Sequence, residues 1–386
     1  MTNPATEPYA AMQPRRVWLK DVEAEIARQL RVIQGPTGVP INRARMSNLV
    51  IFCRQPEQVE LVNQQIPTIL GYHPCRVILL VGDDANQLGQ APVQAEVNVQ
   101  ASLSEKDQLI FSEQVTLHAS GSDVVRRLPY AVRSCLVGDL PTNLWWADTV
   151  PPSLAGPLVY DLAESAQQVV YDSIGWAEPA KGLLATAQWL PKIERTYAQA
   201  RGRWRSVADL NWRRLKYWRR LIPQALAPAS TPGLLEGLSE LTITHGPHAV
   251  VQACLLASWI ACKLGWRVQA GHVEPGVELE WQIVAARGRH IVRIQRLSEG
   301  PPRVTQVQVR WQQAGQARSL RMLYETPTRL AVVPEDQSCQ RRTITVPEQS
   351  LSELVARQLS DRDHDPVFLE SMAVAQVFAQ TILSRS

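Results

Sequence analysis

The sequence predicts two domains: an α/β domain with a Rossmann-like open sheet and an antiparallel insertion, then an α+β domain whose mostly antiparallel sheet is covered by helices. Three observations predict them: strand–helix–strand alternation over residues 47–82, strict apolar–polar alternation over residues 93–103, and alternating segments after residue 277. The chain has 386 residues, more than a single core usually organises, so two domains of ordinary size are expected.

The composition is that of a globular chain, with 45% apolar and 20% charged residues. A net charge of +4 is too weak for the dense positive field of most nucleic-acid-binding proteins, so any such role would be local. The apolar run AVVQACLLASWIACKLG contains Gln252, Ser258 and Lys263, so we expect a buried helix there and no membrane span. The N-terminus has no basic start followed by an apolar block, and we therefore expect a cytoplasmic protein.

The N-terminal region, residues 1–45, is predicted to hold an amphipathic helix and a linker. Its helix covers residues 15–34, because apolar side chains recur there at spacings of three and four among charged ones, namely Trp18, Val22, Ile26, Leu30 and Ile33. Glycines and prolines between Gly35 and Pro40 end the helix.

The Rossmann-like domain is placed at residues 46–200. SNLVIFC and CRVILLVG are predicted strands on either side of a helix, PEQVELVNQQIPTIL, which has Pro56 at its first turn. Residues 93–103 and LIFSEQVTLHA form the antiparallel insertion. A helix interrupted near Pro129 follows, and then NLWWAD and LVYD are predicted as strands.

The turn after the first strand, CRQPEQ, has none of the glycines with which GxGxxG lets a pyrophosphate approach the backbone. The chain also lacks GxxxxGK[ST], HExxH and GxSxG patterns. We therefore predict neither an enzyme nor a cofactor, and no catalytic or metal-binding residues. His245 and His248 in THGPH open a helix, and capping or packing is favoured over an anion or metal site, because no acidic or cysteine ligand lies nearby.

The connector, residues 201–232, contains RGRWRSVADLNWRRLKYWRRLIPQAL. Ser206 and Asp209 resemble a capping box, which predicts a helix beginning near Val207. Trp212, Leu215, Trp218 and Ile222 then form an apolar stripe, with Arg213, Lys216 and Arg220 on nearly the opposite face. A docked helix with a basic outer face is expected. That face is either a solvated surface or a site for an acidic protein; nucleic acid is disfavoured, because stacking needs exposed aromatic rings beside the basic groups.

The second domain is placed at residues 233–386. It begins with the strand ELTITHG and the buried helix 249–264, and alternation continues in Val277, Leu279, Trp281 and Ile283 and again in later segments. The helices LSELVARQLS and VFLESMAVAQVFAQTIL are expected to cover one face of its sheet.

Two separated tryptophan-rich motifs carry a family resemblance. DLPTNLWWADTVPP at 139–152 and DLNWRRLKYWRRL at 209–221 resemble the OpcA family, the glucose-6-phosphate dehydrogenase assembly proteins of cyanobacteria and actinobacteria. The resemblance extends from about Arg45 to the C-terminal helix. It implies a non-catalytic effector that binds glucose-6-phosphate dehydrogenase, favours its active oligomer and raises its response to substrate. The alternatives are a nucleotide- or sugar-phosphate-binding enzyme-like protein and a protein that binds single-stranded nucleic acid.

The expected partner-binding residues come from the same two motifs. They are Trp212, Arg213, Lys216, Trp218, Arg219, Arg220, Trp145 and Trp146. The two adjacent tryptophans of the first motif point to opposite faces of a strand, and packing of both is favoured over exposure of one to a partner.

The resemblance also implies redox control through thioredoxin, which makes cysteine positions informative. Cys254 and Cys262 lie about 12 Å apart along one helix, and Cys53 and Cys75 lie at opposite ends of neighbouring strands, so neither pair is predicted to form a disulfide. Cys339, beside two arginines that favour its thiolate, is the redox candidate, although no second cysteine is nearby.

Overall fold

The computed structural model describes residues 10–35, 41–42, 45–83, 92–103, 109–202, 204–274, 277–286, 288–334 and 341–384. These residues form two sheets with helices packed against them, and the predicted mixed α/β fold is confirmed. Cys339 lies outside the described residues.

The first sheet is built by the N-terminal part of the chain. Its elements and the helices between them are β1 (Ala10–Ala11), β2 (Arg15–Val17), α1 (Val22–Gln34), β3 (Ile41–Asn42), β4 (Ser47–Cys53), α2 (Pro56–Tyr72), β5 (Cys75–Asp83), β6 (Gln94–Leu103), β7 (Leu109–Ser120), α3 (Ser122–Val125), α4 (Leu128–Cys135), β8 (Thr142–Trp146), α5 (Pro157–Ala163), β9 (Gln168–Tyr171), α6 (Pro179–Arg201) and β10 (Ser206–Asp209).

The strand order of this sheet is β1-β6-β7-β5-β4-β8-β9-β10, with β2 also on β6 and β3 on β7. In this order, all neighbouring strands from β7 through β5, β4, β8 and β9 to β10 are parallel to each other. Strand β6 is antiparallel to β7 and forms the expected insertion. In the register of β4 and β5, Ser47 lies opposite Cys75 and Cys53 opposite Val81. The two cysteines are therefore at opposite ends of the strands, as predicted.

The second sheet and its helices follow. They are α7 (Leu210–Arg214), α8 (Lys216–Ala225), α9 (Leu234–Gly237), β11 (Leu238–His245), α10 (Val250–Leu264), β12 (Arg267–Glu274), β13 (Glu278–Ala285), β14 (Gly288–Arg296), β15 (Val304–Gln313), β16 (Gln316–Thr326), β17 (Arg329–Pro334), β18 (Arg342–Thr345), α11 (Leu351–Ser360) and α12 (Pro366–Leu383).

The strand order here is β12-β13-β14-β11-β15-β16-β17-β18, and every pairing is antiparallel except β11 with β14. Helix α12 packs against α6, α10 and β12. The rings of Trp281 on β13 and Phe378 on α12 stack with centroids 4.7 Å apart. Helix α12 is long and apolar enough to cross a bilayer. In this fold it packs against the neighbouring helices and β12 instead.

Trp145 and Trp146 show how β8 is packed on both faces. Trp146 joins the core beneath α4 and α6, where its ring stacks on Phe52 at 4.4 Å. Trp145 joins a separate core formed with α2 and α11. Both side chains are almost fully buried, so each indole fills a core on its own side of the sheet.

Four local predictions are wrong. LVYD lies in α5, and the strand that follows β8 is QVVY, Gln168–Tyr171. Residues Ser206–Asp209 form strand β10 and not the start of a helix, and they complete the first sheet. Helix α11 packs on α2 of the first sheet instead of covering the second. Trp18 precedes α1 and is 65% exposed, because the helix begins only at Val22.

Replacing Trp146 by alanine would leave a large cavity between the first sheet and its helices. We expect the free energy of unfolding to fall by about 3 to 5 kcal/mol, measured by urea denaturation. Trp18→Ala is the matched control, because an exposed tryptophan outside the core should change stability by no more than about 0.5 kcal/mol. Equal losses in the two variants would contradict the packing described for Trp146.

Candidate partner-binding site

The turn between β4 and α2 is where a Rossmann-type sheet holds a pyrophosphate against backbone N–H groups. Here a side chain of the chain itself takes two of those groups. The Oε1 of Gln58 accepts hydrogen bonds from the backbone nitrogens of Arg54, at 2.9 Å, and Gln55, at 3.1 Å. The turn thus forms a capping box instead of an open anion cradle.

The same edge is bridged by an ion pair. Nε of Arg54, at the end of β4, lies 2.9 Å from Oδ2 of Asp148, which follows β8. Nε2 of Gln58 is 3.4 Å from the other carboxylate oxygen, and the backbone nitrogen of Val150 donates to that oxygen at 3.3 Å. Nε1 of Trp146 donates to the carbonyl of Val150 at 2.8 Å. Side chains of this chain therefore fill the crevice at the carboxyl ends of β4 and β8.

The connector is held by its tryptophans. Trp212 and Trp218 are buried, and Nε1 of Trp212 donates to Oδ2 of Asp365 at 2.8 Å. The ring of Trp212 lies 5.4 Å from that of Phe368 on α12, and Trp218 meets Tyr324 of β16 edge-on at 5.7 Å. The predicted apolar stripe is therefore an internal contact between the connector and the C-terminal part of the chain.

The arginines of the connector are less exposed than predicted. Nη1 of Arg213 donates to Asp361 at 3.1 Å, and Arg214 forms two hydrogen bonds with Asp172 at 2.7 and 2.8 Å. The guanidinium of Arg219 lies 3.7 Å above the ring of Trp212. Burial lowers the pKa of Arg219 to about 10, and the nearby Asp365 offsets part of this effect.

Lys216 and Arg220 are the members of the expected basic face that remain exposed. The face is smaller because residues 361–365, DRDHD, lie along it and supply acidic partners from within the chain. A groove of about 340 Å³ remains between this acidic loop and the connector, lined by Arg213, Lys216 and Arg219 among others.

A buried polar network joins the two sheets, and the sequence analysis missed most of it. The carboxylate of Asp209 caps α7 by accepting from the backbone nitrogens of Asn211, at 2.8 Å, and Ser173, at 3.2 Å. Nε2 of Gln252 is 3.5 Å from the side-chain oxygen of Asn211, and its Oε1 accepts from the backbone nitrogen of Val304 at 2.7 Å. The available signal was Gln252 itself, a polar residue within an apolar helix.

The environment of Asp209 perturbs its titration. Burial, and then the charge of Asp172, raises the pKa of Asp209 from 3.8 to about 7. A carboxyl group with this pKa is partly protonated at neutral pH, whereas an exposed one is not.

Three cysteines and His245 lie in the core, whereas His248 of the same motif is exposed. Burial raises the pKa of Cys53, Cys75 and Cys254 to about 12, far from the thiolate form that reacts. His245 ends β11 as a buried residue, and burial lowers its pKa. No group of three or more potential metal ligands occurs among the residues that the structure describes.

Two family models match the chain. One, described as glucose-6-phosphate dehydrogenase subunit N-terminal domain, matches residues 67–188, and the other, described as the C-terminal domain of that subunit, matches residues 205–372. Together they cover most of the chain in the order in which the two sheets are built.

Three curated relatives are similar to the chain, each described as putative OxPP cycle protein OpcA. The Synechococcus elongatus protein is 27% identical over 328 residues, which are 79% of this chain and 68% of the relative. The Synechocystis and Nostoc punctiforme proteins are each 28% identical, over 54% and 53% of this chain. The chain spans only 41% of the length of these last two relatives.

Similar solved structures include an oxidoreductase from Sinorhizobium meliloti, with a TM-score of 0.50 and 10% identity over 89% of this chain and 97% of that one. They also include the transcriptional regulator Gal80p from Kluyveromyces lactis, with a TM-score of 0.50 and 9% identity over 91% and 90%. These likenesses show the fold alone. Because proteins described as an oxidoreductase and as a regulator share it, the fold does not decide between catalysis and regulation.

Asp209→Asn tests the raised pKa through stability. Between about pH 4 and pH 7 the folded state holds a proton on Asp209 that the unfolded state has released, so wild-type stability relative to the variant falls as pH rises through this window and levels off above it. Urea unfolding of both proteins across the window measures the difference. Asp123→Asn, at an exposed position, is the control and should give a constant difference. A constant difference for Asp209→Asn would contradict the raised pKa.

Proposed function

Because the chain belongs to the OpcA family of glucose-6-phosphate dehydrogenase assembly proteins, we propose that it is a non-catalytic activator that binds glucose-6-phosphate dehydrogenase, favours its active oligomer and raises its response to substrate in the oxidative pentose phosphate pathway. The observation that carries this proposal is the match of two successive models, described as domains of the dehydrogenase subunit, to the two parts of the chain. The expected cytoplasmic location is part of the same proposal.

An activator of this kind works by differential affinity. It must bind the active form of the dehydrogenase more tightly than the inactive form, since equal affinity for both shifts nothing. A coupling free energy of about 1 to 3 kcal/mol changes an equilibrium by about five- to 150-fold. A modest difference in surface contact between the two forms is therefore sufficient.

The turn after β4 supports a role without cofactor chemistry. The nitrogens that would face a pyrophosphate are bonded to Gln58, and Arg54 with Asp148 fills the adjacent crevice. A dinucleotide would have to displace this partly buried ion pair to bind there. These contacts disfavour a nucleotide-dependent enzyme, which is the alternative that the fold suggests.

The helices α7 and α8 of the connector favour a protein partner over nucleic acid. Single strands are held by aromatic rings open to stacking, and the rings of Trp212 and Trp218 on these helices are buried. Trp204, before β10, is the exposed tryptophan of the connector, and its ring lies 5.3 Å from that of His364. In the proposal the buried indoles, like those of Trp145 and Trp146, position the surface that the dehydrogenase meets and do not insert into it.

The function is tested by kinetics with the cognate dehydrogenase. NADP⁺ reduction is followed over a range of glucose 6-phosphate concentrations, with the dehydrogenase alone, with the chain alone and with both. The proposal expects no turnover by the chain and a lower half-saturating substrate concentration in the mixture. Turnover by the chain, or an unchanged saturation curve in the mixture, would overturn it.

We place part of the contact on the outer side of α8, where Lys216 and Arg220 are exposed. Exposed charges at an interface act mainly on the association rate. Lys216→Glu combined with Arg220→Glu should raise the concentration of chain needed for half-maximal activation by about tenfold, with the larger effect at low salt.

Arg126→Glu with Arg127→Glu is the matched control, because it reverses two exposed positive charges on another part of the surface. It should leave the activation curve unchanged. If the Lys216 and Arg220 double variant activates with wild-type potency, α8 is not in the interface.

Redox control through thioredoxin stays a proposal that rests on Cys339. Cys339→Ser should remove any loss of activation that oxidation causes and any recovery with thioredoxin. The measurement is activation by oxidised and reduced chain, with Cys262→Ser as control, since burial raises the pKa of the Cys262 thiol. Unchanged sensitivity in Cys339→Ser would exclude Cys339 as the sensor.

A further inference from the structure

A cleft of about 540 Å³ lies beyond the carboxyl end of β9, where the segment after that strand meets the connector and the second sheet. It is lined by Ile174, by Arg214 and Tyr217 of α7 and α8, and by Arg303 and Tyr324 at the second sheet. In open α/β folds this is the region where ligands bind, and the volume is within the range that holds small molecules. The closure at β4 and β8 does not reach this cleft.

The two arginines that line the cleft differ in whether they pair with an acidic residue. Arg214 is neutralised by its two hydrogen bonds with Asp172. Arg303 forms no ion pair with a residue that the structure describes. The only hydrogen bond of its side chain to a described residue runs from Nη1 to the carbonyl of Pro327, at 3.2 Å. The remaining donors of this guanidinium have no acceptor within the described residues, so the cleft offers a cation ready to bind an anion.

The guanidinium of Arg303 is also held in place. It lies 4.0 Å from the centre of the Tyr324 ring, which also packs against Trp218 in an edge-to-face arrangement at 5.7 Å. A stacked guanidinium loses little further conformational freedom on binding an anion. The phenols of Tyr217 and Tyr324 line the same space and can donate or accept hydrogen bonds.

We propose that this cleft binds a small hydroxylated organic anion, with Arg303 contacting its phosphate or carboxylate and the tyrosines contacting its body. Glu348 is the one acidic residue among the described residues that line the cleft, so a bound anion would be repelled by a single negative charge there. Because the cleft is lined by Ile174, by the connector helices and by residues at the second sheet, the bound molecule contacts all three parts of the chain. This inference goes beyond the proposed function and does not depend on it.

The test uses the purified full chain without the dehydrogenase, so its failure and that of the proposed function are distinguishable. Glucose 6-phosphate, adenosine monophosphate and inorganic phosphate are titrated separately by calorimetry, and thermal unfolding is followed with each. We expect saturable heat and a raised melting temperature with at least one of the two organic phosphates, and weaker binding of inorganic phosphate. The two organic arms distinguish a sugar phosphate from a nucleotide.

Arg303→Leu should weaken binding of that organic phosphate by about tenfold or more, because a hydrogen-bonded charge is lost. Tyr324→Phe keeps the ring under the guanidinium and should weaken binding by about three- to tenfold, which keeps the proposal testable if Arg303→Leu fails to fold. Arg310→Leu, at an exposed arginine of β15 that pairs with Glu240, is the matched control and should bind like wild type.

Three results would overturn the inference. They are no saturable binding of either organic phosphate at millimolar concentration, wild-type affinity in both Arg303→Leu and Tyr324→Phe, or equal affinity for inorganic and organic phosphate.

Discussion

An ion pair between Arg54 and Asp148 links the carboxyl ends of β4 and β8, and Gln58 is hydrogen-bonded to the residues at both of these ends. It occupies the place where a fold of this kind presents backbone nitrogens to a cofactor. It also anchors the segment after β8, because Asp148 accepts from the nitrogen of Val150 and Trp146 donates to the carbonyl of that residue. Through these hydrogen bonds the first tryptophan-rich motif helps to close the carboxyl edge of the first sheet.

The second tryptophan-rich motif works inward in the same way. Asp209 caps α7, Asn211 connects that cap to Gln252 on α10, and Trp212 is hydrogen-bonded to Asp365. Residues of this arginine- and tryptophan-rich motif thus join the two sheets to each other and to the C-terminal acidic loop. The exposed charges on α8 and the cleft beside Arg303 are the surfaces on which our proposals about other molecules rest.

The sequence predicted the strands of the first sheet well where the order of apolar and polar residues was compatible with only one type of secondary structure. Buried runs such as SNLVIFC and the alternation of residues 93–103 led to strands with nearly the observed bounds. It failed where short apolar runs were ambiguous, since LVYD and QVVY look alike and only the second lies in the sheet. The basic face of the connector was overestimated because Asp361 and Asp365, which bond to Arg213 and Trp212 of α7, lie far along the chain, beyond the reach of any local pattern.

We propose that this protein, whose fold is like that of cofactor-binding enzymes but whose phosphate turn is occupied by Gln58, acts by biasing the assembly of another protein. The most direct measurement is the mass of the cognate dehydrogenase in solution, by light scattering coupled to size exclusion, with increasing amounts of this chain. We expect the measured mass to increase to that of a larger species that contains both proteins, and this increase to saturate at a fixed ratio of the two. Two separate peaks of unchanged mass at every ratio would contradict it.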